Sequence, residues 1–333
     1  MSTMDDVARR AGVSGSTVSH VMNGTRRVSP ETRAKVETAI EEIGYRQNTV
    51  ARALAAGKTE TIGLSISALT NPYFGSLVHS IEERVSAAGY VLVLGDSHDN
   101  AEMEGRVVRS LLERQVDGLI IAAAVGAEHN IPQVLHSGTP LVLIDRNVDV
   151  DCDQVTPENE EPAYALTKHL IELGHRRIAA VTGLQGLRSS SERYAGYARA
   201  LVEAGISIDD SLVLCGASKS EIAEDAVSQA FSRPERPSAL VVMNNAMTIG
   251  ALRALRDLRL RIPSDVAFVC YDDFEWSNLF EPGLTAVAQD VELMGAQAVE
   301  LLLARIAGGA GPGQLLRIPT SFQHRSSCGC VAQ

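Results

Sequence analysis

Apolar residues in the first 45 positions fall into three blocks at helical spacing. Val7, Ala8 and Ala11 make the first, Val18, Val21 and Met22 the second, and Val36, Ala39, Ile40 and Ile43 the third. Each block opens on a residue suited to capping a helix. These are Thr3 with Asp6 three residues on, Ser14, and Ser29 followed by Pro30. Gly12 ends the first helix and Gly44 the third. From Thr61 the pattern changes to short apolar runs, "TIGLSISA", "YVLVLGDS", "DGLIIAAAV" and "PLVLIDR", separated by helical stretches over 73–88 and 101–114. After Asn159 the alternation restarts: a helix to Leu173, "RIAAVTG", a helix from Glu192, "SLVLC", a helix over 220–231, "ALVVMN", a helix over 247–257 and "VAFVCYDD". A last helix near 290–307, the Gly-rich turn "GGAGPG" and the stretch "QLLRIPTSF" finish both runs. Apolar strands alternating with amphipathic helices predict parallel sheets covered on both faces, and two such runs predict two doubly wound lobes. The predicted class is α/β, with a small three-helix headpiece in front.

Composition bounds this picture. A hydrophobic content of 45% over 333 residues suits a globular chain of about two domains. No apolar run approaches the roughly 20 residues a membrane helix needs, and the N-terminus lacks the apolar core of a secretory signal. A cytoplasmic protein with no membrane partner is expected. Five scattered cysteines, an odd number, do not read as a disulfide framework.

Charge changes the picture more. The net charge is −11, yet residues 1–60 hold nine Lys/Arg against seven Asp/Glu. Within 7–36 six basic residues face one acidic residue, Glu31. An acidic body with a locally basic end suggests a small module for a polyanion. Ala8, Gly12 four residues later and Val18 six after that have the spacing of a helix-turn-helix. A small residue stands where the helices cross, a glycine in the turn, and a branched residue anchors the second helix. Gly15, Ser16, Thr17, Ser19 and His20 then point outward from the second helix, small and polar enough to reach base edges and phosphates. From spacing alone, a plain three-helix bundle on the tip of an enzyme remains the alternative.

The stretch "MDDVARRAGVSGSTVSHVMNGTRRVSPETRAKVETAIEEIGYRQNTVARAL" resembles the headpiece of the lactose/galactose repressor family of bacterial transcription regulators. The resemblance implies double-stranded DNA as partner, with Gly15, Ser16, Thr17 and His20 at the major groove. It also implies that Ser14, Asn23, Thr25, Arg26 and Tyr45 touch the DNA or its backbone. Gly15 departs from the longer side chain often found at its position.

Residues 49–60, "TVARALAAGKTE", carry a Gly-Lys-Thr triplet that hints at phosphate binding. A phosphate loop needs a glycine where this chain has Arg52, so the triplet is a decoy. Thr49 to Ala56 are mostly good helix formers between Asn48 and Gly57, but eight residues do not hold a helix alone in water. The resemblance supplies the support: two such segments of a homodimer pair in the minor groove, Leu54 wedges between base steps, and Arg52 serves the backbone. The resemblance thus divides the chain into a helix-turn-helix headpiece over 1–47, a hinge helix or linker over 48–58, and an effector-binding and dimerisation body over 59–333. Lobe 1 spans about 59–156 and 289–315, and lobe 2 about 157–288 and 316–333.

Polar residues gather where the body's strands end: "LTNPYF", Asp145-Arg146, Arg188 to Arg193, Asn244-Asn245 and Asp272-Asp273. Ligands of such sheets bind at those carboxyl ends. The body is similar to the effector domain of the same family, related to periplasmic sugar-binding proteins, in "NPYF", "VDGLI", "IDR", "LGHRRIA" and "YDD". That similarity implies that Tyr73 and Phe74 line a cleft and that Asp145, Arg193, Asn244, Asp272 and Gln289 hydrogen-bond the effector. Asn245 stands where the family usually has Asp, and Ser218 where some members place a stacking aromatic. The expected effector is a sugar or sugar derivative. The alternatives are a nucleobase or nucleoside, and an anionic phosphosugar held by "LRSSSER" at a helix start. Trp276 is either a substitute stacking residue or a lid.

The implied function is an effector-controlled regulator, most often a repressor, on a pseudo-palindromic operator. An enzyme is the rival class, but no nucleophile with a base, no metal spacing and no dinucleotide glycine pattern is present. No cofactor is expected. Cys328 and Cys330 form a Cys-x-Cys with no further ligands nearby in sequence, so they read as an ordinary tail.

Overall fold

The computed structural model describes residues 2–24, 26–45 and 57–330, and of Asn23 the backbone alone. Thr25, Arg52 and Leu54, named above as DNA contacts, lie outside the described residues. The chain divides into two compact units, Met1–Thr59 and Glu60–Gln333.

In the first unit α1 (Met4–Ala11), α2 (Gly15–Asn23) and α3 (Pro30–Ile43) follow the apolar blocks. Thr3 and Asp6 close a capping box on α1, Ser14 accepts from the Thr17 N–H, and Ser29 accepts from the Thr32 N–H with Pro30 in the first turn. Gly12 takes φ +68° to leave α1, a conformation a side chain at this turn would strain. Val7, Ala8, Val18, Val21, Val36 and Ala39 are buried together as the core. Half-buried Ala11, Val13, Met22, Val28, Ile40, Ile43 and Tyr45 pack around this small centre.

The second unit holds two six-stranded sheets. Its strands are β1 (Thr61–Ile66), β2 (Val91–Asp96), β3 (Gly118–Ile121), β4 (Leu141–Ile144), β5 (Asp153–Pro157), β6 (Ile178–Thr182), β7 (Val213–Cys215), β8 (Ala239–Val242), β9 (Ala267–Tyr271), β10 (Thr285–Gln289), β11 (Leu315–Ile318) and β12 (Thr320–Gln323). The first sheet runs β2-β1-β3-β4-β5-β11, all parallel. The second runs β7-β6-β8-β9-β10-β12, parallel except for the antiparallel edge strand β12. The helices are α4 (Pro72–Ala87), α5 (Ala101–Glu113), α6 (Ile131–Ser137), α7 (Glu160–Glu172), α8 (Arg188–Glu203), α9 (Ser220–Phe231), α10 (Asn245–Asp257) and α11 (Val291–Ile306). No helix among the described residues is long and apolar enough to cross a membrane.

Strand order reverses between β1 and β3 in one sheet and between β6 and β8 in the other. At such points the carboxyl ends open a crevice between diverging connections. The chain passes between the sheets after β5, after β10 and again at Pro319, the single residue between β11 and β12. The Gly-rich turn before β11 is tied down by Arg305 of α11. Its guanidinium pairs with Asp153 at 2.6 and 3.0 Å and donates to the Gly311 and Pro312 carbonyls.

Two local expectations need correcting, and one strand went unread. The helix expected from Glu192 begins at Arg188, so the serines of "LRSSSER" fill its first turn and do not precede it. Leu187 is its N-cap and gives no side-chain bond, and the Ser191 hydroxyl donates back to the Leu187 carbonyl at 3.3 Å. β5, "DQVTP", is fully buried although polar in sequence, because Asp153 and Gln154 spend their side chains on Arg305 and on the Val148–Val150 backbone. The Cys-x-Cys tail is not bare. The antiparallel run of β12 beside β10 brings His324 and, from α7, His169 alongside both thiols.

Candidate functional site

The start of α2 gathers the hydroxyls expected at DNA. Ser14 Oγ lies 2.8 Å from both Ser16 Oγ and Thr17 Oγ1 and accepts from the Thr17 N–H at 3.2 Å. Ser14, Ser16 and Arg26 are exposed, and Gly15, Thr17, Ser19 and His20 are half-buried on the same helix face or beside it. A helix N-terminus with a cluster of hydroxyls that can exchange bonds among themselves for bonds to a ligand suits a phosphate or a base edge. Tyr45 packs half-buried against the headpiece core, with its N–H donating to the Ile40 carbonyl.

In the larger unit the two sets of strand ends meet across a cleft. Tyr73, in the first turn of α4 behind the Asn71 cap, donates its hydroxyl to Asp145 at 2.8 Å. Asp145 follows β4, with φ +68°, and its carboxyl is held above the usual range, chiefly by burial and against the pull of Arg146 and Arg193. Burial and the neighbouring Asp145 and Asp272 likewise raise the Tyr73 hydroxyl. Phe74 is buried beneath the Arg146 guanidinium, 5.9 Å from its ring centre.

Arg193, from α8, turns inward. It donates to Asn159 at 2.8 Å and to the Met243 carbonyl at 2.7 Å, and it lies 3.6 Å over the Tyr271 ring. Burial works against its charge, but Tyr271, Asp272 and Asp145 outweigh that and hold it protonated. Asp272, with φ +75° after β9, accepts from the Asn245 N–H at 2.9 Å and from Gln289 Nε2 at 2.5 Å. Two acceptors are left without a protein partner, Asn245 Oδ1 and Gln289 Oε1. Because Gln289 is oriented by its bond to Asp272, its oxygen is the end turned away.

Asn244 also reaches the cleft, but its Oδ1 caps α10 by accepting from the Met247 N–H at 2.9 Å. Ser218, with φ +56°, accepts from the Leu184 N–H at 3.0 Å and so holds a loop. Arg188 pairs with Glu192, which is itself clamped by Arg317 at 2.8 Å. A cavity of about 350 Å³ opens at one mouth of the cleft, lined by Tyr73, Asn245, Asp272, Phe274, Trp276 and Gln289. Trp276 stacks on Phe274, with ring centres 3.9 Å apart and 14° between planes.

The structure therefore brings Tyr73, Phe74, Asp145, Arg193, Asn244, Asp272 and Gln289 around one cleft. Sequence reasoning missed Asn159 and Tyr271. A lone Asn at a strand end and a Tyr inside "VCYDD" gave no sign that both would hold Arg193.

Residues 3–48 match the family of bacterial regulatory proteins, lacI family, and residues 167–328 match a periplasmic binding protein-like domain. The chain is 35% identical over 330 residues to the HTH-type transcriptional repressor PurR of Erwinia tasmaniensis, covering 98% of this chain and 97% of that one. It is 36% identical over 309 residues to the repressor of the same name from Vibrio atlanticus, covering 92% of each. Among solved structures, the lac repressor dimer bound to operator and the anti-inducer ONPF is similar at a TM-score of 0.87 and 30% identity, over 98% of this chain and 99% of that one. The transcriptional regulator CelR-cellobiose complex is similar at a TM-score of 0.75 and 32% identity, over 98% and 100%.

Proposed function

The chain belongs to the lacI family of bacterial regulatory proteins and is a DNA-binding regulator; on that premise we propose a homodimeric repressor of a pseudo-palindromic operator whose cleft senses a nucleobase or nucleoside. The operator-bound dimer to which it is similar over nearly its full length supports the assembly and the DNA partner. Segment 48–58 then acts as the conditional helix. Ligand binding changes the angle between lobes, and with it the spacing at which two copies of that segment meet on the duplex.

The observation that carries the ligand class is the lining of the cavity. Tyr73, Phe274 and Trp276 give it aromatic walls. Two acceptors there, Asn245 Oδ1 and Gln289 Oε1, have no protein partner, and the Asp272 carboxylate between them accepts one protein bond on each oxygen and keeps further lone pairs. Ring N–H and amino groups of a planar base satisfy acceptors and stack on an aromatic wall. A polyol needs donors as often as acceptors, and the strongest donor, Arg193, is spent inside the protein. The sugar expectation leaned on the missing aromatic at Ser218, but Ser218 closes a loop and the aromatic wall stands at Trp276 and Phe274. Full-length similarity to repressors named PurR supports the same choice. The phosphosugar alternative loses its two cations to Glu192 and to the Asn159–Met243 pair.

Titration calorimetry with free nucleobases and nucleosides beside neutral sugars tests the cleft. A base is expected to bind and to shift operator affinity. Asp272→Asn is expected to weaken that binding about 10- to 100-fold, because bonds to a charged acceptor contribute about 1.5–3 kcal/mol. Binding by sugars alone overturns the ligand class. For the hinge, Leu54→Ala is expected to weaken operator binding at least tenfold in gel-shift titrations, by loss of the wedge that supports bent DNA, with ligand affinity unchanged. An unaltered operator affinity removes Leu54 from this role.

A further inference from the structure

We infer that the C-terminal segment forms a zinc site with His169, His324, Cys328 and Cys330, a Cys2His2 set that pins the end of the chain to α7. One potential ligand atom from each residue lies within 4.8 Å of the others. Cys328 Sγ is 3.7 Å from His324 Nε2, and Cys330 Sγ is 3.6 Å from His169 Nε2. A thiolate at about 2.3 Å and an imidazole nitrogen at about 2.1 Å from zinc, at the tetrahedral angle, stand about 3.6 Å apart. The two sulfur–nitrogen pairs already have that separation.

The four residues come from three places in the fold: α7, the end of β12, and the loop beyond it. Their convergence is not a by-product of one helix or turn. The loop is held independently of the proposed ligands. Ser327, fully buried, donates its hydroxyl to the Phe268 carbonyl at 2.6 Å and accepts from the Thr285 N–H at 2.8 Å. Cys328, next to it, is also buried, whereas Cys330 and His169 are partly exposed, which gives an ion a way in.

Two thiolates with two imidazoles in a tetrahedron suit zinc rather than calcium or magnesium, which take oxygen ligands. On binding, each thiol gives its proton to solvent and each imidazole donates a lone pair without losing one. The result is an uncharged Zn(Cys)2(His)2 unit with two protons released. Four protein ligands leave no open position for water, so the site is structural.

The test uses the full-length chain, purified with reduced thiols. Elemental analysis after dialysis is expected to find about one zinc per chain. Cobalt added to the metal-stripped chain is expected to give the visible bands of tetrahedral cobalt with thiolate charge transfer. His169→Gln and Cys330→Ser alter partly exposed positions and are each expected to abolish those bands and weaken cobalt binding at least 100-fold, with circular dichroism unchanged. Cobalt bands that persist in both variants overturn the site, as does stoichiometric absence of metal with all thiols free. So does a Cys328–Cys330 disulfide found by mass spectrometry in the protein as isolated.

Discussion

Arg193→Ala is expected to abolish ligand sensing and to lower the melting temperature of the larger unit by roughly 10 °C. Arg193 is 7% exposed, and its guanidinium satisfies Asn159 and the Met243 carbonyl while lying over Tyr271. Removing it strands those acceptors and leaves the carboxylates of Asp145 and Asp272 with less positive charge nearby. Loss of one partner from a buried charged network costs about 3–5 kcal/mol, more than any exposed ion pair of this protein contributes. The pH dependence carries its own signature. Burial already holds the Asp145 carboxyl above its ordinary pKa, with Arg146 and then Arg193 pulling it back down. Without Arg193 it rises further. A carboxyl whose folded pKa lies above its unfolded one favours the folded state below the unfolded value and loses that contribution as pH rises through the folded value. The deficit of the variant is therefore expected to be larger at pH 8 than at pH 5 in paired thermal melts. A deficit that is constant, or that grows in acid, shows that Arg193 does not compensate the carboxylates.

Gly250→Ala is expected to destabilise the same unit by about 3 kcal/mol, in a helix where alanine is intrinsically the better residue by about 1 kcal/mol. A Cβ on Gly250 of α10 falls 2.0 Å from the Ser220 carbonyl oxygen and 2.9 Å from the Glu224 nitrogen of α9. Both are backbone atoms, so no rotamer change relieves the overlap and the helices must move apart. Gly75 supplies the control. It also lies inside a helix, α4, but a Cβ there meets nothing within 4 Å, so Gly75→Ala is expected to be neutral or stabilising. Denaturant melts of the two variants decide the matter. Equal effects mean that helix propensity, not the contact between α9 and α10, governs Gly250.

Much of this architecture was legible in the chain because the signals were local. Capping at Thr3, Ser14 and Ser29 and the apolar runs of β1, β3, β4, β6, β8 and β9 each depend on residues within one turn or one strand. The elements that escaped depend on distant partners. β5 carries Asp153 and Gln154 and so shows no apolar run, and burial of Asp153 rests on Arg305 and the Gln314 N–H, both far along the sequence. The start of α8 was set too late because three serines suggest a cap, whereas the helix already begins at Arg188 behind the buried Leu187, which caps it with no side-chain bond. In the cleft itself the charged and aromatic residues could be placed at strand ends. Which of them were already committed could not. Asn244 spends its oxygen on a local cap, three residues from its donor, and Ser218 spends its hydroxyl on a loop 34 residues away, a bond that only the tertiary path of the chain sets. Beside Cys328 and Cys330, His324 stood in plain sight four residues before Cys328 and was passed over, whereas His169 was hidden, being 161 residues from Cys330 and reaching the tail only through the fold.

The order in which the chain visits its sheets has a bearing on biosynthesis. β11 pairs with β5, Leu315 opposite Gln154, and one residue later β12 turns to pair with β10. A nascent chain therefore carries an open edge on the first sheet throughout translation of the second. Residues 315–323 close an edge of each sheet. Neither six-stranded sheet is therefore whole until that one stretch is in place, and a single break near Pro319 would loosen an edge of both.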